Sequence, residues 1–291
     1  MPAGLVLLDK PEGWTSHDVV ARIRKVANTR RVGHAGTLDP MATGLLVLGV
    51  ESATKLLTFI VGADKTYEAT IRLGASTITD DRESDFLERA TPEAVSKVTL
   101  PEIVSAIGEL TGEIEQVPSS VSAIKVDGVR SYAAVRNGDE VSLKARPVTV
   151  SRLDLLGDIR HVDGFIDLDV VIDCSSGTYI RALARDLGAK LGIGGHLTAL
   201  RRTRVGVYSI DQAAQLPEVG TPLNLISSFE ASKAFPSLEL SEQDVIDIRH
   251  GKRLKNPDAL EGEIAAVHNG TLIAMLTPLG KQLKSLVVFN D

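Results

Sequence analysis

Hydrophobic and polar positions follow two different periods along this chain, and together they predict strands mixed with helices. The stretches GLVLLD near the N-terminus and LLVLGV at 45–50 are short apolar runs, as in buried strands, and TYEATIRLG at 66–74 alternates as a half-buried strand does. Ser16 is expected to cap a helix running to about Ala27, because apolar residues recur on one face of that stretch. Strands and helices do not alternate strictly, so the pattern favours a mixed α/β sheet over a doubly wound one.

The pattern changes in the last third of the chain. Residues 214–235 are rich in Pro, Ser and Ala and have weak periodicity, which indicates a connector. Residues 236–291 contain the short apolar stretches EIAAVHNG, TLIAMLTPLG and SLVVF, separated by Gly and Asn turns. The expected organisation is therefore a large domain over 1–213, a connector over 214–235 and a small β-rich domain over 236–291.

One carboxylate stands out because its surroundings are apolar. Asp39 is the only formal charge in VGHAGTLDPMATGLLVLGV, which covers residues 32–50. A carboxylate is costly to bury unless something pairs with it, and Pro40 pushes Asp39 into an extended conformation. Local chemistry leaves two interpretations open. Asp39 either caps backbone amides in an Asx turn, which Asp-Pro sequences often do, or is a reactive group presented by a shaped loop.

The distribution of charge is more informative than its sum. The net charge of −6 argues against indiscriminate binding to nucleic acid. Basic residues nevertheless cluster without acids in residues 21–34, 201–204 and 249–255, which hold five, three and four Lys or Arg. Each cluster alone could be a solvated face, but together they fit a specific site for a polyanion.

Cysteine usage and missing motifs exclude several classes of protein. Cys174 is the only cysteine, so a disulfide framework or a Cys-based metal site is not expected, and a reducing, cytoplasmic compartment is favoured. No apolar stretch approaches the ~18 residues of a membrane span. The sequence has neither a phosphate-binding GxxxxGK[ST] loop nor paired histidines at HxxxH or HExxH spacing. We therefore expect no cofactor and no metal.

The Asp39 loop belongs to a longer series of motifs. GHAGTLDPMATGLL, at 33–46, closely resembles the signature of the TruB family of pseudouridine synthases. The resemblance continues, in family order over about the first 210 residues, at LDKPEGWTSHDVV (8–20), KTYEATIRLG (65–74), QVPSSVSAIKVDGVRSY (116–132), CSSGTYIRALARDLG (174–188) and GGHLTALRRTRVG (194–206). Any one block would be a weak signal, whereas the ordered series is highly specific.

The resemblance implies an activity and an architecture. Enzymes of this family isomerise uridine 55 in the T arm of tRNA to pseudouridine, with an aspartate carboxylate, base flipping and no cofactor. The implied fold is a mixed, mostly antiparallel sheet flanked by helices, followed by a small C-terminal domain of the PUA type that grips RNA. We also expect a monomer of the stand-alone bacterial type, which needs no protein partner.

The resemblance also assigns roles to individual residues. Asp39 matches the catalytic carboxylate, and His34 matches a side chain that fills the space left by the flipped uridine. Residues matching substrate-binding positions are Tyr67, which stacks on the uracil, Leu200 beside the flipped base, Tyr179, Arg181, and the basic Lys10, Arg201 and Arg202. For the last three, a solvated surface charge is nearly as good an interpretation as a phosphate contact.

Arg181 can also be interpreted from its position. It is expected in the first turn of a helix that opens near Thr178, where a cation opposes the helix dipole at a cost of about 0.3–1 kcal/mol. The position therefore requires a compensating anion, and both Asp39 and an RNA phosphate qualify. The family pairs this arginine with the catalytic aspartate. Ser175 and Ser176 lack the GxSxG context of a nucleophile and are expected to cap the helix.

Three other functions compete with this one. A non-catalytic RNA-binding or RNA-folding factor on the same scaffold does not need the set of Asp39, Tyr67 and Arg181. A carboxylate glycosidase needs two acids flanking one bond, and the Asp39 segment supplies one. A synthase of the same family acting within a guide-RNA complex is disfavoured because the chain has no obvious basic tail for such assembly.

Overall fold

The computed structural model describes residues 3–119, 125–126, 129–130, 143–256 and 259–289. It divides the chain into two compact units. The first unit comprises Met1–Asp39, Leu45–Val61 and Val207–Asp291, and the second comprises Pro40–Gly44 and Gly62–Gly206.

The helices and strands follow in chain order. The α-helices are α1 Ser16–Val26, α2 Leu57–Val61, α3 Pro92–Lys97, α4 Leu100–Glu109, α5 Ile180–Lys190, α6 Ser228–Ser232 and α7 Glu242–Arg249, and 3-10 turns cover Glu51–Leu56 and Ile210–Gln212. The strands are β1 Gly4–Lys10, β2 Val32–His34, β3 Thr43–Val50, β4 Lys65–Leu73, β5 Ala75–Thr77, β6 Phe86–Arg89, β7 Gly112–Gln116, β8 Lys125–Val126, β9 Val129–Arg130, β10 Arg146–Leu155, β11 Arg160–Val162, β12 Phe165–Cys174, β13 Gly195–Val205, β14 Tyr208–Ser209, β15 Ala214–Gln215, β16 Ser237–Glu239, β17 Leu254–Lys255, β18 Ile264–His268, β19 Thr271–Leu279 and β20 Gln282–Val288.

The second unit is built on five antiparallel strands in the order β13-β4-β12-β10-β7. β4 lies between β13 and β12 and pairs with each along its whole length. Its burial alternates as its sequence predicts, with Tyr67, Ala69, Ile71 and Leu73 buried on one face. The mixed, mostly antiparallel architecture expected from the sequence is confirmed.

Helix α5 packs its apolar face on β13 of the same unit. Ile180, Leu183 and Leu187 are buried. Gly188 of α5 and Gly195 of β13 allow the two backbones to approach closely. A Cβ atom on Gly188 would lie 2.1 Å from the backbone nitrogen of Gly195. The helix begins after Tyr179, which supplies no side-chain cap, so the expected serine caps are wrong.

In the first unit, β1 pairs in parallel with β15, and β2 pairs antiparallel with β3. Helix α1 buries Val19 and Ile23 against this sheet. The expected cap at Ser16 is wrong by one residue. Thr15 is the cap, and it forms a capping box with Asp18, which leaves Ser16 buried at the first helical position.

The C-terminal part of the first unit is β-rich, as expected. Five strands form a sheet in the order β16-β18-β19-β20-β17. This sheet has its own apolar core, to which Val245 and Ile248 of α7 contribute. Lys55 links it to the rest of the first unit, because its ammonium donates to the carbonyl of Val288 (2.8 Å) and lies over the ring of Phe289. The predicted domain limits at 213 and 235 remain predictions.

Two further features bear on the sequence predictions. Within the motif at 116–132, Lys125–Val126 and Val129–Arg130 form the antiparallel pair β8 and β9, and residues 127 and 128 lie outside the described residues. In the described part of the chain, no helix is long and apolar enough to cross a membrane.

Candidate active site

The nine residues that the sequence assigned to the site are divided between the two units. The first unit carries Lys10, His34 and Asp39, and the second carries Tyr67, Tyr179, Arg181, Leu200, Arg201 and Arg202.

Asp39 follows a loop whose backbone is anchored from α1. The hydroxyl of Ser16 donates to the carbonyl of Leu38 (3.1 Å) and accepts from its N–H (2.9 Å). Ser16 is fully buried and Leu38 is 4% exposed, so these two bonds are shielded from water. Asp39 itself is half-buried. A single serine therefore fixes the backbone immediately before the candidate carboxylate.

His34 ends β2 at the entry to this loop and pairs with Leu48 of β3. Its ring is half-buried and meets the ring of His17 edge-on, with 5.9 Å between their centres. Two imidazoles thus lie side by side near the start of the Asp39 loop.

Lys10 does not have the environment of a surface charge. It is fully buried, and its ammonium donates to the carbonyl oxygens of Trp14 (2.6 Å) and Pro11 (3.0 Å). The solvated interpretation of Lys10 is wrong. The ammonium stabilises the turn between β1 and α1, and a phosphate contact stays a prediction.

Arg181 lies in the first turn of α5 and is 5% exposed. Its Nη1 donates to the carbonyl of Thr79 (2.6 Å) and lies 3.5 Å from the Oδ2 of Asp81. The Asp81 carboxylate also accepts from the Thr79 hydroxyl (2.5 Å) and from the N–H of Glu83 (2.9 Å). Asp81 thus supplies an anion that the helix position required, and it lies outside the family motifs that include Arg181.

A second ion pair lies one residue away. Asp80 is buried, adopts a positive φ of 59°, and lies 3.2 Å from the Nη1 of Arg185, one turn after Arg181. Burial raises the pKa of Asp80, and the positive charges of Arg185 and Arg181 oppose that rise. Arg185 also donates to the carbonyl of Val117 (2.7 Å). Helix α5 therefore holds the 79–81 turn through two arginines that lie one helical turn apart.

The strands β4 and β13 bring three of the predicted residues together. Tyr67 pairs with Arg202 across the two strands, and Ala69 pairs with Leu200. Arg202 is 1% exposed, so its solvated interpretation is wrong as well. Arg201 points its guanidinium to the hydroxyl of Thr43 at 3.3 Å.

Comparison with known proteins decides the family. Residues 24–180 match the model described as TruB family pseudouridylate synthase (N terminal domain), which is more than half of the chain. The chain belongs to the TruB family of pseudouridylate synthases. Residues 181–230 match the tRNA pseudouridylate synthase B C-terminal domain, and residues 235–290 match tRNA Pseudouridine synthase II, C terminal. A pseudouridylate synthase is an isomerase, because uridine and pseudouridine contain the same atoms.

Individual relatives agree with this assignment over nearly the whole chain. The tRNA pseudouridine synthase B of Leifsonia xyli subsp. xyli (strain CTCB07) is 58% identical, over 99% of this chain and 96% of that protein. The protein of the same name from Paenarthrobacter aurescens (strain TC1) is 54% identical, over 99% and 96%. A chain in the structure of an H/ACA RNP bound to a substrate RNA containing 2'-deoxyuridine has a TM-score of 0.72 and 24% identity, over 99% of this chain and 85% of that one, which shows the shared fold.

In this TruB-family chain, the start of α5 is held by a residue that sequence reasoning missed. The buried side chain of Gln116, at the end of β7, accepts from the N–H of Tyr179 (2.8 Å) and donates to its carbonyl (3.1 Å). Gln116 opens the QVPSS motif, so the motif itself was the available signal. This amide fixes the backbone two residues before Arg181.

A buried amine lies on the same face of β4 as Tyr67. Burial lowers the pKa of Lys65 to about 8, and the positive charge of Arg202 adds to that effect. Its ammonium donates to the carbonyl of Ala63 (2.7 Å). Burial also raises the pKa of the neighbouring Cys174 thiol to about 11, so this cysteine remains protonated and unreactive at neutral pH.

Proposed function

We propose that this protein converts uridine 55 in the T arm of tRNA to pseudouridine, with Asp39 as the catalytic carboxylate and without a protein partner. The observation that carries the proposal is the anchored loop before Asp39, where Ser16 binds both backbone groups of Leu38. The relatives that match nearly the whole chain are named tRNA pseudouridine synthase B, which supports tRNA as the substrate.

The reaction conserves every atom of the uridine. The N1–C1′ bond breaks, the uracil turns, a C5–C1′ bond forms, and the proton on C5 moves to solvent while N1 gains one. No electrons are gained or lost, so the residues need to supply only a nucleophile or base, positive charge and a shaped pocket. Three routes are available to the Asp39 carboxylate: attack on C1′, attack on C6, or removal of a sugar proton.

Each route starts from an ionised carboxylate, which a nearby cation stabilises. We assign that role to Arg181. Its guanidinium is held at one nitrogen by Thr79 and Asp81, so little conformational entropy remains to be lost when substrate binds. The charge of Asp81 offsets part of the arginine's charge and makes its burial at the positive end of α5 tolerable.

The other predicted residues are assigned to the base and its phosphates. A uridine inside a structured arm must leave the stack before it can react, at a cost of a few kcal/mol. His34 fills the vacated space, Tyr67 stacks on the uracil, and Leu200 packs beside it. The remaining assignments are Tyr179 to substrate and Lys10, Arg201 and Arg202 to the charge of the RNA backbone.

The test is to replace Asp39 by Asn, which keeps the shape and removes the charge. Purified protein alone is incubated with unmodified tRNA, and pseudouridine is mapped at base resolution. We expect wild type to modify position 55 only, and Asp39→Asn to lose turnover while tRNA binding is largely kept, because phosphate contacts supply most of the affinity. Asp158→Asn, an exposed carboxylate, is the matched control.

Two outcomes would reject parts of the proposal. Turnover above a few per cent of wild type in Asp39→Asn removes the catalytic role from this residue. Modification at another position, with Asp39 still essential, keeps the catalytic role and replaces the target.

A further inference from the structure

Trp14 is the only tryptophan of the chain, and it is held in the turn between β1 and α1. The carbonyl of Trp14 accepts from the buried ammonium of Lys10, and the next residue, Thr15, caps α1. The ring packs partly against the core of the first unit. The Arg22 guanidinium lies over it, with 5.3 Å between the guanidinium carbon and the ring centre. The ring and the guanidinium thus lie against each other and form a joint surface.

A shallow cavity of about 360 Å³ opens beside this surface. It is lined by Gly13, Trp14, Asp18, Ala21, Arg22 and Lys25. The one acid, Asp18, is engaged in the capping box, where its carboxylate accepts from the hydroxyl (2.6 Å) and N–H (3.0 Å) of Thr15. The two cations therefore outnumber it, and the volume is at the small end of the range for small-ligand sites.

The fold explains only some of the basic residues of α1. Arg24 donates to the carbonyl of Val32 (3.1 Å), and Arg22 reaches the carbonyl of Pro217 (3.4 Å). The exposed ammonium of Lys25, by contrast, has no ion-pair or hydrogen-bond partner among the described residues. Lys25 therefore places an unpaired positive charge beside Trp14 in the lining of this cavity.

We propose that this cavity binds a nucleotide of the substrate RNA other than the target uridine. Aromatic rings and arginine planes are the groups on which proteins stack unpaired bases, and lysine is a common partner of phosphate. Trp14 with Arg22 supplies the stacking surface, and Lys25 meets the phosphate. The segment 21–34, to which Arg22 and Lys25 belong, carries five basic residues and no acid. The inference rests on the proposed tRNA substrate.

Because Trp14 is the only tryptophan, its fluorescence reports directly on the cavity. Wild type, Lys25→Gln and the control Lys97→Gln, another exposed lysine at a helix end, are titrated with unmodified tRNA while emission and acrylamide quenching are recorded. We expect tRNA to change the emission and to shield the ring from acrylamide. Lys25→Gln should lower the slope of log affinity against log salt by about 0.7–0.9 and weaken binding roughly fivefold at physiological salt, whereas Lys97→Gln should match wild type.

A second arm separates a nucleotide site from a merely basic surface. Heparin carries negative charge but no bases, so it should leave the emission of Trp14 largely unchanged. An equal response to heparin overturns the assignment to a nucleotide, and so does a Trp14 signal that saturating tRNA leaves untouched. Pseudouridine formation is measured on the same samples. Its absence at every position in wild type would count against the proposed function, whereas normal turnover without a Trp14 response would count against this site alone.

Discussion

The guanidinium of Arg181 and the carboxylate of Asp81 form a buried ion pair, with 3.5 Å between Nη1 and Oδ2 and side chains that are 6% and 2% exposed. Two buried charges cost several kcal/mol each to desolvate, and only close pairing with further hydrogen bonds offsets that cost. Thr79 supplies such bonds to both partners, through its carbonyl to Arg181 and its hydroxyl to Asp81. The pair depends on this turn, and the proposed role of Arg181 depends on the pair.

Removing one partner of this pair should be strongly destabilising. Asp81→Ala removes the buried carboxylate that lies 3.5 Å from the Arg181 guanidinium, so we expect the free energy of unfolding to fall by about 3–5 kcal/mol in urea titrations. The exposed pair Arg152–Asp154 is the control, with side chains 49% and 60% exposed. Arg152→Gln should leave the free energy of unfolding nearly unchanged, because an exposed ion pair is screened by water and salt. Equal effects of the two variants would show that the buried pair is no more important than a surface pair.

Ser16 should act on turnover through Leu38. Ser16→Ala leaves the buried N–H and carbonyl of Leu38 without their partner, so we expect a loss of about 1–3 kcal/mol in stability. The loop before Asp39 should also become less well fixed. Under the proposed function, kcat should fall while KM for tRNA stays within a few-fold, because the reactive group is displaced and the phosphate contacts are not. Equal kcat values for a folded Ser16→Ala and wild type would contradict the positioning role.

The elements that the sequence predicted well are those with a strong local pattern. The alternation in TYEATIRLG matches β4, and the apolar runs near the C-terminus match β18 to β20. Helix caps were less predictable, because Thr15 and Ser16 are both good capping residues and one residue decides the register. At α5 the expected serine cap is replaced by contacts from Gln116, a residue 63 positions away from Tyr179. A local sequence pattern cannot predict a contact between residues so far apart in the chain.

The candidate site shows the same limit. The family motifs drew attention to Arg181, but its partner Asp81 lies in the acidic stretch TDDRESD, which by composition resembles a solvated segment. Lys10 and Arg202 resemble surface charges in the sequence, and both are buried. Charge patterns predict exposure on average, whereas burial of a charge depends on hydrogen bonds that the fold supplies from elsewhere.

Gly44 should not tolerate a side chain. Its φ is +102°, and a Cβ atom there would lie 2.3 Å from the carbonyl oxygen and 2.8 Å from the nitrogen of Arg202, at the point where β3 meets β13. Gly44→Ala therefore combines backbone strain with a clash against a strand, and we expect a loss above about 3 kcal/mol or no folded protein. Gly157→Ala, with φ of +79° and open space around the Cβ position, should cost only about 1 kcal/mol. Similar losses would show that β13 moves away at little cost.

The pair Asp80–Arg185 should give a distinct pH dependence. Because burial raises the pKa of Asp80 above its unfolded value of 3.8, the folded state holds the proton longer, so this residue's contribution to stability decreases as pH rises through that window. Arg185→Gln removes a positive charge that stabilises the Asp80 carboxylate. The loss of stability with rising pH should therefore become larger by about 1–3 kcal/mol. The double variant with Asp80→Asn should recover most of it, since Asn tolerates the positive φ of this position. Urea titrations between pH 4 and about 8 measure this, and an absence of recovery would contradict the assignment.

The buried charge of Lys65 should lower the free energy of unfolding at neutral pH, and should lower it less at alkaline pH. Its pKa in the folded protein is about 8 against an ordinary value of 10.5, so between these values the unfolded chain binds more protons and stability from this residue rises with pH. Below pH 8 the cost of burying its charge is fully present, on the order of 3 kcal/mol. Lys65→Met should therefore be more stable than wild type at pH 7 by about that amount, and the difference should shrink towards pH 10. Burial raises the thiol pKa of Cys174 from 9.0 to about 11, so the contribution of Cys174 to stability falls as pH rises above 9. Both variant and wild type contain Cys174, so its contribution largely cancels when they are compared. A variant that is less stable than wild type at pH 7 would show that the bond from Lys65 to the Ala63 carbonyl outweighs the cost of burial.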